Sequence, residues 1–290
     1  SSMIVFHCNA STHCAAESVA GPVYYIPYEY QSVIGREKLW EDNENRLHSF
    51  MHANWHNTIW IAGIYVAFVH ILQRFMSTRK AFDLKKPLIL WNASLALFSL
   101  VGTLRMGEEF VHVLRTRPLL DSISYTVDPG QPAALWAVCF AVSKIFELGD
   151  TIFVLLRKKK LIFLHWYHHA IVLVYVWHSA REVVAGGRWF ITMNFFEHSL
   201  MYTYYAIRAA GIRLPRSLSM AITTLQTTQM LIGVAISFIV FYLKLQGNVI
   251  QQSFENLYFC FAIYASFAVL FMNFFSKSYL EKKEEKAKTQ

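Results

Sequence analysis

Charge is scarce in this sequence. Asp, Glu, Lys and Arg together make up 16% of its 290 residues, against 55% hydrophobic and 16% aromatic residues, a balance that does not fit one or two soluble domains. Cysteine is also rare: Cys8, Cys14, Cys139 and Cys260 make no disulfide scaffold, and no Cys-x-x-Cys pair offers a zinc site. Cys8 and Cys14 can pair if their segment is lumenal. No charged stretch followed by an apolar core opens residues 1–50, so no cleavable signal peptide is expected there. No internal repeat is strong enough to propose inverted halves. The formal charge of +8 comes without a basic helix or aromatic-basic module outside the apolar segments, which argues against a nucleic-acid partner.

Long apolar runs are what the chain has in abundance. Seven segments of roughly 17 to 25 residues, the length that crosses a bilayer, cover 57–72, 87–104 with a helical pattern continuing toward 114, 133–156, 161–179, 189–209, 218–243 and 254–275. The expected fold is all-α and polytopic: an N-terminal segment over 1–50, seven membrane helices over 51–276, and a basic tail over 277–290. Pro118, Asp128-Pro129-Gly130, Gly186-Gly187 and Pro215 punctuate the joints. Basic residues accumulate in short cytosolic loops. The joints after the first, third and fifth segments, with the tail, hold 17 of the 27 Lys and Arg residues; nine lie on the other side, and Lys144 lies inside the third segment. The N-terminus is therefore expected in a lumen and the C-terminus in the cytosol. Asn9-Ala10-Ser11 is then a lumenal glycosylation sequon, and Lys286 and Lys288 resemble the dilysine retrieval signal of endoplasmic reticulum membrane proteins. A tail drawn to anionic lipid is the alternative reading of those lysines.

Four successive segments carry polar groups at helical spacing. The third holds Lys144, Glu147, Asp150 and Thr151 on one face; the fourth holds His165, His168 and His169; the fifth holds Asn194, His198, Met201, Tyr202 and Tyr205, with Glu197 and Tyr204 near them; the sixth holds Thr223, Gln226 and Gln229. Ionisable groups in a membrane helix are costly and face a partner or a cavity. Any one of these sets serves as a helix-to-helix fastening, but four in a row imply a shared polar cavity. Membrane di-iron enzymes also carry a His-x-x-His-His box, yet they need further histidine boxes around the same metals. His48, His52 and His56 imitate one such box but fall at the opposite end of the membrane from His165, His168 and His169, and ligands must lie within about 2.0 to 2.2 Å of one centre. No metal is expected, and the three early histidines read as a solvated interfacial face.

Four motifs in order then point to one family. Lys144-Ile-Phe-Glu147-Leu-Gly-Asp150-Thr151, His165-Trp-Tyr-His168-His169, Asn194 with His198-Ser-Leu-Met201-Tyr202-Thr-Tyr204-Tyr205, and Thr223-Thr-Leu-Gln226-Thr-Thr-Gln229 resemble the signatures of the ELO family of very-long-chain fatty acid elongases, over about residues 40–280. Leu-His-Trp-Tyr-His-His and Ala185-Gly186-Gly187-x-Trp189-Phe190 look like the subgroup acting on saturated and monounsaturated chains. Glu197 departs from the apolar residue expected before His198.

The resemblance implies seven helices with spans 2 to 7 around a narrow acyl tunnel, and condensation of a long-chain acyl-CoA with malonyl-CoA to 3-ketoacyl-CoA, carbon dioxide and CoA. It implies no cofactor, and it makes the lipid bilayer and the other enzymes of the elongation cycle the expected partners, with a homodimer left open. On this reading His168 is the nucleophile and His198 its facing partner. His165, His169, Lys144, Glu147 and Asp150 tune or orient the imidazoles, while Asn194, Gln226, Gln229 and Tyr202, with Tyr205 beside them, offer neutral donors. Arg157, Lys158, Lys159, Lys160, Arg208, Arg213 and Arg216 are candidates for the CoA phosphates. Two alternatives stay open: histidine acting only as a base, and a membrane protein that binds or transports lipid without chemistry.

Overall fold

The computed structural model describes residues 5–8, 13–18, 21–35, 37 and 40–281. The Asn9 sequon and the 286–290 lysine pattern lie outside these residues. Helices make up the body of the molecule: α1 (Trp40–Asn54), α2 (Asn57–Ser77), α3 (Lys85–Thr116), the single turn α4 (Asp121–Ser124), α5 (Pro132–Glu147), α6 (Gly149–Leu156), α7 (Phe163–Arg181), α8 (Gly187–Ala210), α9 (Arg216–Leu245) and α10 (Phe254–Phe275), with a π-type turn over Ser276–Glu281. Among the described residues, the all-α design gains a three-stranded antiparallel sheet in order, β1 (Val5–Cys8), β2 (Cys14–Ser18) and β3 (Gly21–Tyr25). Cys8 pairs with Cys14 in the strand register, and Cys14 is disulfide-bonded while Cys139 and Cys260 are free.

Local chemistry sets the helix limits. Pro132 opens α5 where its missing N–H is harmless, Ser253 caps α10 by accepting from the Asn256 amide, and Gly211 ends α8 at a φ of 100°. The apolar run 133–156, expected as one span, is interrupted at Leu148, whose amide bonds back only three residues to Ile145. Gly149 follows because the Trp91 ring of α3 lies against it: a Cβ there would stand 2.7 Å from the ring.

Cross-joint hydrogen bonds divide the molecule into two ends. At one end Phe82 donates to the Leu156 carbonyl, Lys158 donates to the Ser77 and Arg79 carbonyls, and Arg216 reaches the Ser278 carbonyl. This is the basic end. At the other, Gln251 joins Ser124, Ala185 and Tyr24, and Ile26 and Thr126 link the sheet to the α4–α5 joint. This is the sheet end. Here the N-terminal segment is latched into the bundle by Glu37, which receives Arg105 of α3 at 2.7 and 2.8 Å and the Trp136 indole of α5 at 2.8 Å. Burial pushes the Glu37 carboxyl up, but the bonds from Arg105, the Ile34 amide and Trp136 outweigh it and hold the group below the ordinary carboxylate range.

Four helices, 57–77, 85–116, 216–245 and 254–278, are each long and apolar enough to cross a membrane. Their large apolar side chains point outward in rows, such as Trp60, Ile64, Phe68, Ile71 and Phe75 of α2. The shorter or more polar α5 with α6, α7 and α8 bring the ionisable groups inside.

Candidate active site

The candidate site is built where α5, α6, α7, α8 and α9 face one another toward the basic end. A polar chamber of about 520 Å³ is lined by Asp150, Arg157, Lys159, His165, His168, His169, Asn194, Glu197, His198, Tyr202, Tyr205, Arg208 and Gln226, among others. A narrower apolar chamber of about 130 Å³ runs to the sheet end, past Val138, Val176, Phe190 and Tyr264 to Thr126, Val127, Pro129 and Val184. The two share His168, Asn194 and Met230 in their walls.

Each polar set has a separate task within this frame. Lys144 bonds both oxygens of Glu147 at 2.8 and 3.0 Å and Asn194 Oδ1 at 2.9 Å, with Ser143 adding a third bond to the Glu147 carboxylate. These groups are almost fully buried, a position an ion pair holds only when its remaining bonds are satisfied. Asp150 accepts from the Trp91 indole and the Tyr202 hydroxyl, both at 2.6 Å, and His169 Nε2 stands 3.9 Å from it. Thr151 Oγ1 bridges His165 Nε2 at 3.0 Å and the Tyr65 hydroxyl at 2.6 Å. His198 lies between two carboxylates, Glu197 at 2.7 Å from Nδ1 and Glu147 at 3.5 Å from Nε2.

His168 differs from its neighbours. Its ring touches His169, Phe267 and Phe271, and no hydrogen bond is recorded to either ring nitrogen among the described residues. Gln226 lines the polar chamber and donates to the Met201 sulfur at 3.3 Å, whereas Gln229 lines the apolar one, its buried Oε1 without a partner. Tyr202 is fully buried with its hydroxyl proton directed to Asp150, and Tyr205 is 46% exposed to the surroundings of the bundle. Of the basic residues, Arg157, Lys159 and Arg208 reach the chamber wall. Lys158, Lys160, Arg213 and Arg216 do not line it; Lys158 and Arg216 bind carbonyls of neighbouring joints.

Three contributors escaped the sequence reading. Trp91, Tyr65 and Ser143 hold Asp150, Thr151 and Glu147 respectively; the only signal was that a carboxylate in an apolar run must have donors from somewhere. His48, read as part of a solvated face, instead lines the apolar chamber with its buried Nε2 unpartnered. Among the described residues, no group of three or more His, Cys, Asp or Glu is arranged to hold a metal ion.

The sequence has known relatives. Residues 50–287 match the pattern of the GNS1/SUR4 family, ELO. The chain belongs to the ELO family. It is 49% identical over 236 residues to a Caenorhabditis elegans protein named "Putative fatty acid elongase 4", covering 81% of each chain. It is 43% identical over 249 residues to very long chain fatty acid elongase 6 of Homo sapiens and 42% identical over 250 residues to that of Mus musculus, covering 86% of this chain and 94% of each relative. The four motifs that carried the resemblance all fall within the matched ELO region, and the chain is a multi-pass membrane protein of that family.

Proposed function

We propose that this ELO protein is the condensing enzyme of fatty acid elongation, an acyltransferase that joins a long-chain acyl-CoA to malonyl-CoA, and that His168 carries the acyl group between them. The observation that carries the reading is the meeting of the two chambers at His168, an imidazole free of recorded hydrogen bonds, with a polar chamber toward the basic end and an apolar one toward the sheet end. That is the division an acyl-CoA needs: a water-side head bearing phosphates and a chain that must lie in hydrocarbon.

In the first step a ring nitrogen of His168 attacks the thioester carbon; the C–S bond breaks, and CoA leaves as the thiol after taking a proton. In the second, malonyl-CoA loses carbon dioxide and the electron pair becomes an enolate. The enolate carbon attacks the acyl-imidazole, the C–N bond breaks, and 3-ketoacyl-CoA departs as the leaving ring nitrogen takes up a proton from the water side, restoring the imidazole. His198 and Asn194 face the same chamber and supply donors for the oxygen that gains charge in each step, with Gln226 further along the wall; one such donor is worth about 2.7 to 4 kcal/mol of barrier. Lys144 and Glu147 orient Asn194 and His198, Asp150 holds Tyr202, and Thr151 holds His165. Arg157, Lys159 and Arg208 are placed for the CoA phosphates. No resident cofactor or metal is required by this scheme.

The finer architecture follows the same reading. Residues 51–276 form seven spans, α2, α3, α5 with α6, α7, α8, α9 and α10, the last six enclosing the acyl tunnel. The sheet end, with residues 1–50, is lumenal, supported by the disulfide at Cys14, and the basic end with the 277–290 tail is cytosolic in the endoplasmic reticulum membrane. Partners are the reductases and dehydratase that complete a two-carbon cycle.

Incubation with acyl-CoA alone tests the acyl-enzyme. Purified protein should release one CoA per active site and retain the acyl group, and His168→Ala should lose both the adduct and the condensation of labelled malonyl-CoA while keeping its thermal unfolding profile. Condensation without any adduct would make histidine a base only; binding of acyl-CoA with no labelled carbon dioxide released would make the protein a binder.

A further inference from the structure

Glu197 and His198 are consecutive residues of α8, and consecutive side chains on a helix point about 100° apart and do not ordinarily meet. Here they do: Glu197 Oε2 lies 2.7 Å from His198 Nδ1, the distance of a charge-assisted hydrogen bond. On the other side of the ring, Nε2 faces Glu147 Oε2 at 3.5 Å. Both carboxylates and the imidazole have side chains no more than 7% exposed. A neutral imidazole has one N–H and one lone pair, so it satisfies only one of two flanking carboxylates and turns its lone pair on the other. The charges around it lead to the same conclusion. Lys144 is matched by Glu147, with which it makes two bonds, and that leaves the Glu197 charge without a counterion unless the ring supplies one.

We propose that Glu197 is a positioning residue that, with Glu147, clamps His198 as a doubly protonated imidazolium, which assigns it the donor role toward developing oxygen charge and leaves His168 as the nucleophile. This rests on the condensation reading and deepens it. A ring with protons on both nitrogens has no lone pair for attack on a thioester. Its Nε2–H is directed toward Glu147 at a separation longer than a hydrogen bond of about 2.7 to 3.2 Å, so it remains available to an oxyanion in the chamber that His198 lines. The other charged or titratable groups facing the ring have been placed: Lys144 and Glu147 on α5, Asp150 on α6, His168 on α7, and Tyr202 one turn along α8, with ring centroids 5.5 Å from His198. Asp150 is turned to Trp91 and Tyr202, which leaves Glu197 and Glu147 as the carboxylates at the ring nitrogens. Glu197 Oε1 is buried without a partner, so its whole recorded hydrogen bonding is given to this one ring.

The test is the pH profile of condensation, measured with labelled malonyl-CoA and a saturated acyl-CoA from about pH 6 to about pH 9. Removing an opposite charge at hydrogen-bond distance should lower the pH at which the imidazolium loses its proton by about 1 to 3 units. Glu197→Gln should therefore lose activity at a lower pH than the wild type and regain much of it as the pH falls, and Glu197→Asp, which keeps the charge, should move the basic limb back toward the wild-type position. A uniform loss across the range, with the limb unmoved, would overturn the clamp and leave Glu197 a packing residue. A second measurement needs no folded Glu197 variant: in wild-type protein labelled with ¹⁵N-histidine, the ring assigned to His198 by its loss in His198→Asn should show two protonated nitrogens near neutral pH. One unprotonated nitrogen there would sink the proposal. Wild-type protein that makes no labelled product at any pH would refute the condensation reading instead, and the nitrogen spectrum would still decide the state of His198.

Discussion

At the scale of single residues, the fold depends on a side chain in the wall of the apolar chamber, at its sheet end. Arg188, fully buried near the start of α8, bonds both oxygens of Glu109 at 2.8 to 2.9 Å and the carbonyls of Ser122, Tyr125 and Thr126 at 2.7 to 2.9 Å. One guanidinium thus ties α3, α4 and the α4–α5 joint to the start of α8 at the sheet end of the apolar chamber. Arg188→Met keeps the volume but strands a buried carboxylate and three carbonyls, and should cost about 3 to 5 kcal/mol, read as a large drop in thermal unfolding temperature in detergent. Adding Glu109→Gln removes the stranded charge and should restore part of the loss; no recovery would mean that the carbonyl bonds, rather than the ion pair, hold the joint. Contacts of this kind divide what was legible from what was not. Lys144 with Glu147 was readable because three residues apart is one turn of helix, and the His165, His168, His169 set was readable for the same reason. Arg188 and Glu109 are 79 residues apart, and nothing local in either segment names the other. Trp91 was invisible in the same way, since an indole in an apolar run looks like any other core residue until Asp150 is brought beside it.

At the scale of elements, hydropathy gave the limits of most helices to within a few residues, because a bilayer-length apolar run bounded by Gly, Pro or basic residues has few other ways to fold. It could not show that 133–156 is broken at Leu148, since the cause is a ring on another helix. Gly149 is where that cause can be tested. Gly149→Ala places a methyl 2.7 Å from the Trp91 ring, so the ring must withdraw and its 2.6 Å bond to Asp150 must lengthen or break. Overpacking of this type costs about 1 to 3 kcal/mol, and the freed carboxylate should lower the condensation rate as well. Gly107, in the same α3 helix as Trp91, has no atom within 4 Å of an added Cβ, so Gly107→Ala should gain up to about 1 kcal/mol from helix propensity and leave the rate unchanged. Equal behaviour of the two variants, measured side by side for stability and turnover, would remove the Trp91 contact as the reason for the break.

At the scale of the whole molecule, the number of crossings decides which way each end faces, and two arrangements make opposite predictions. If only the four strongly apolar helices crossed the membrane, residues 117–215 would stay on one side and the α9–α10 joint would return to the same side as the α2–α3 joint. With α5 and α6, α7 and α8 crossing as well, those two joints lie on opposite sides. Charge supports the second arrangement: 17 of the 27 basic residues collect at one end of it, and the disulfide at Cys14 lies in the segment assigned to the other. The first arrangement would also leave the buried Lys144, Glu147 and His198 in a water-side domain built of apolar helices. Thr78 and Asn248 are exposed residues in the two joints, neither lines a chamber, and both suit single-cysteine labelling. In sealed endoplasmic reticulum vesicles with the cytosolic face outward, a membrane-impermeant maleimide should modify Thr78→Cys directly and Asn248→Cys only after the vesicles are permeabilised. Modification of both before permeabilisation would return the four-span arrangement and would place the polar chamber outside the membrane, where an acyl chain has no need of an apolar tunnel; the reverse pattern, Asn248→Cys first, would keep seven spans and invert them, putting His168 on the lumenal side, away from cytosolic CoA thioesters.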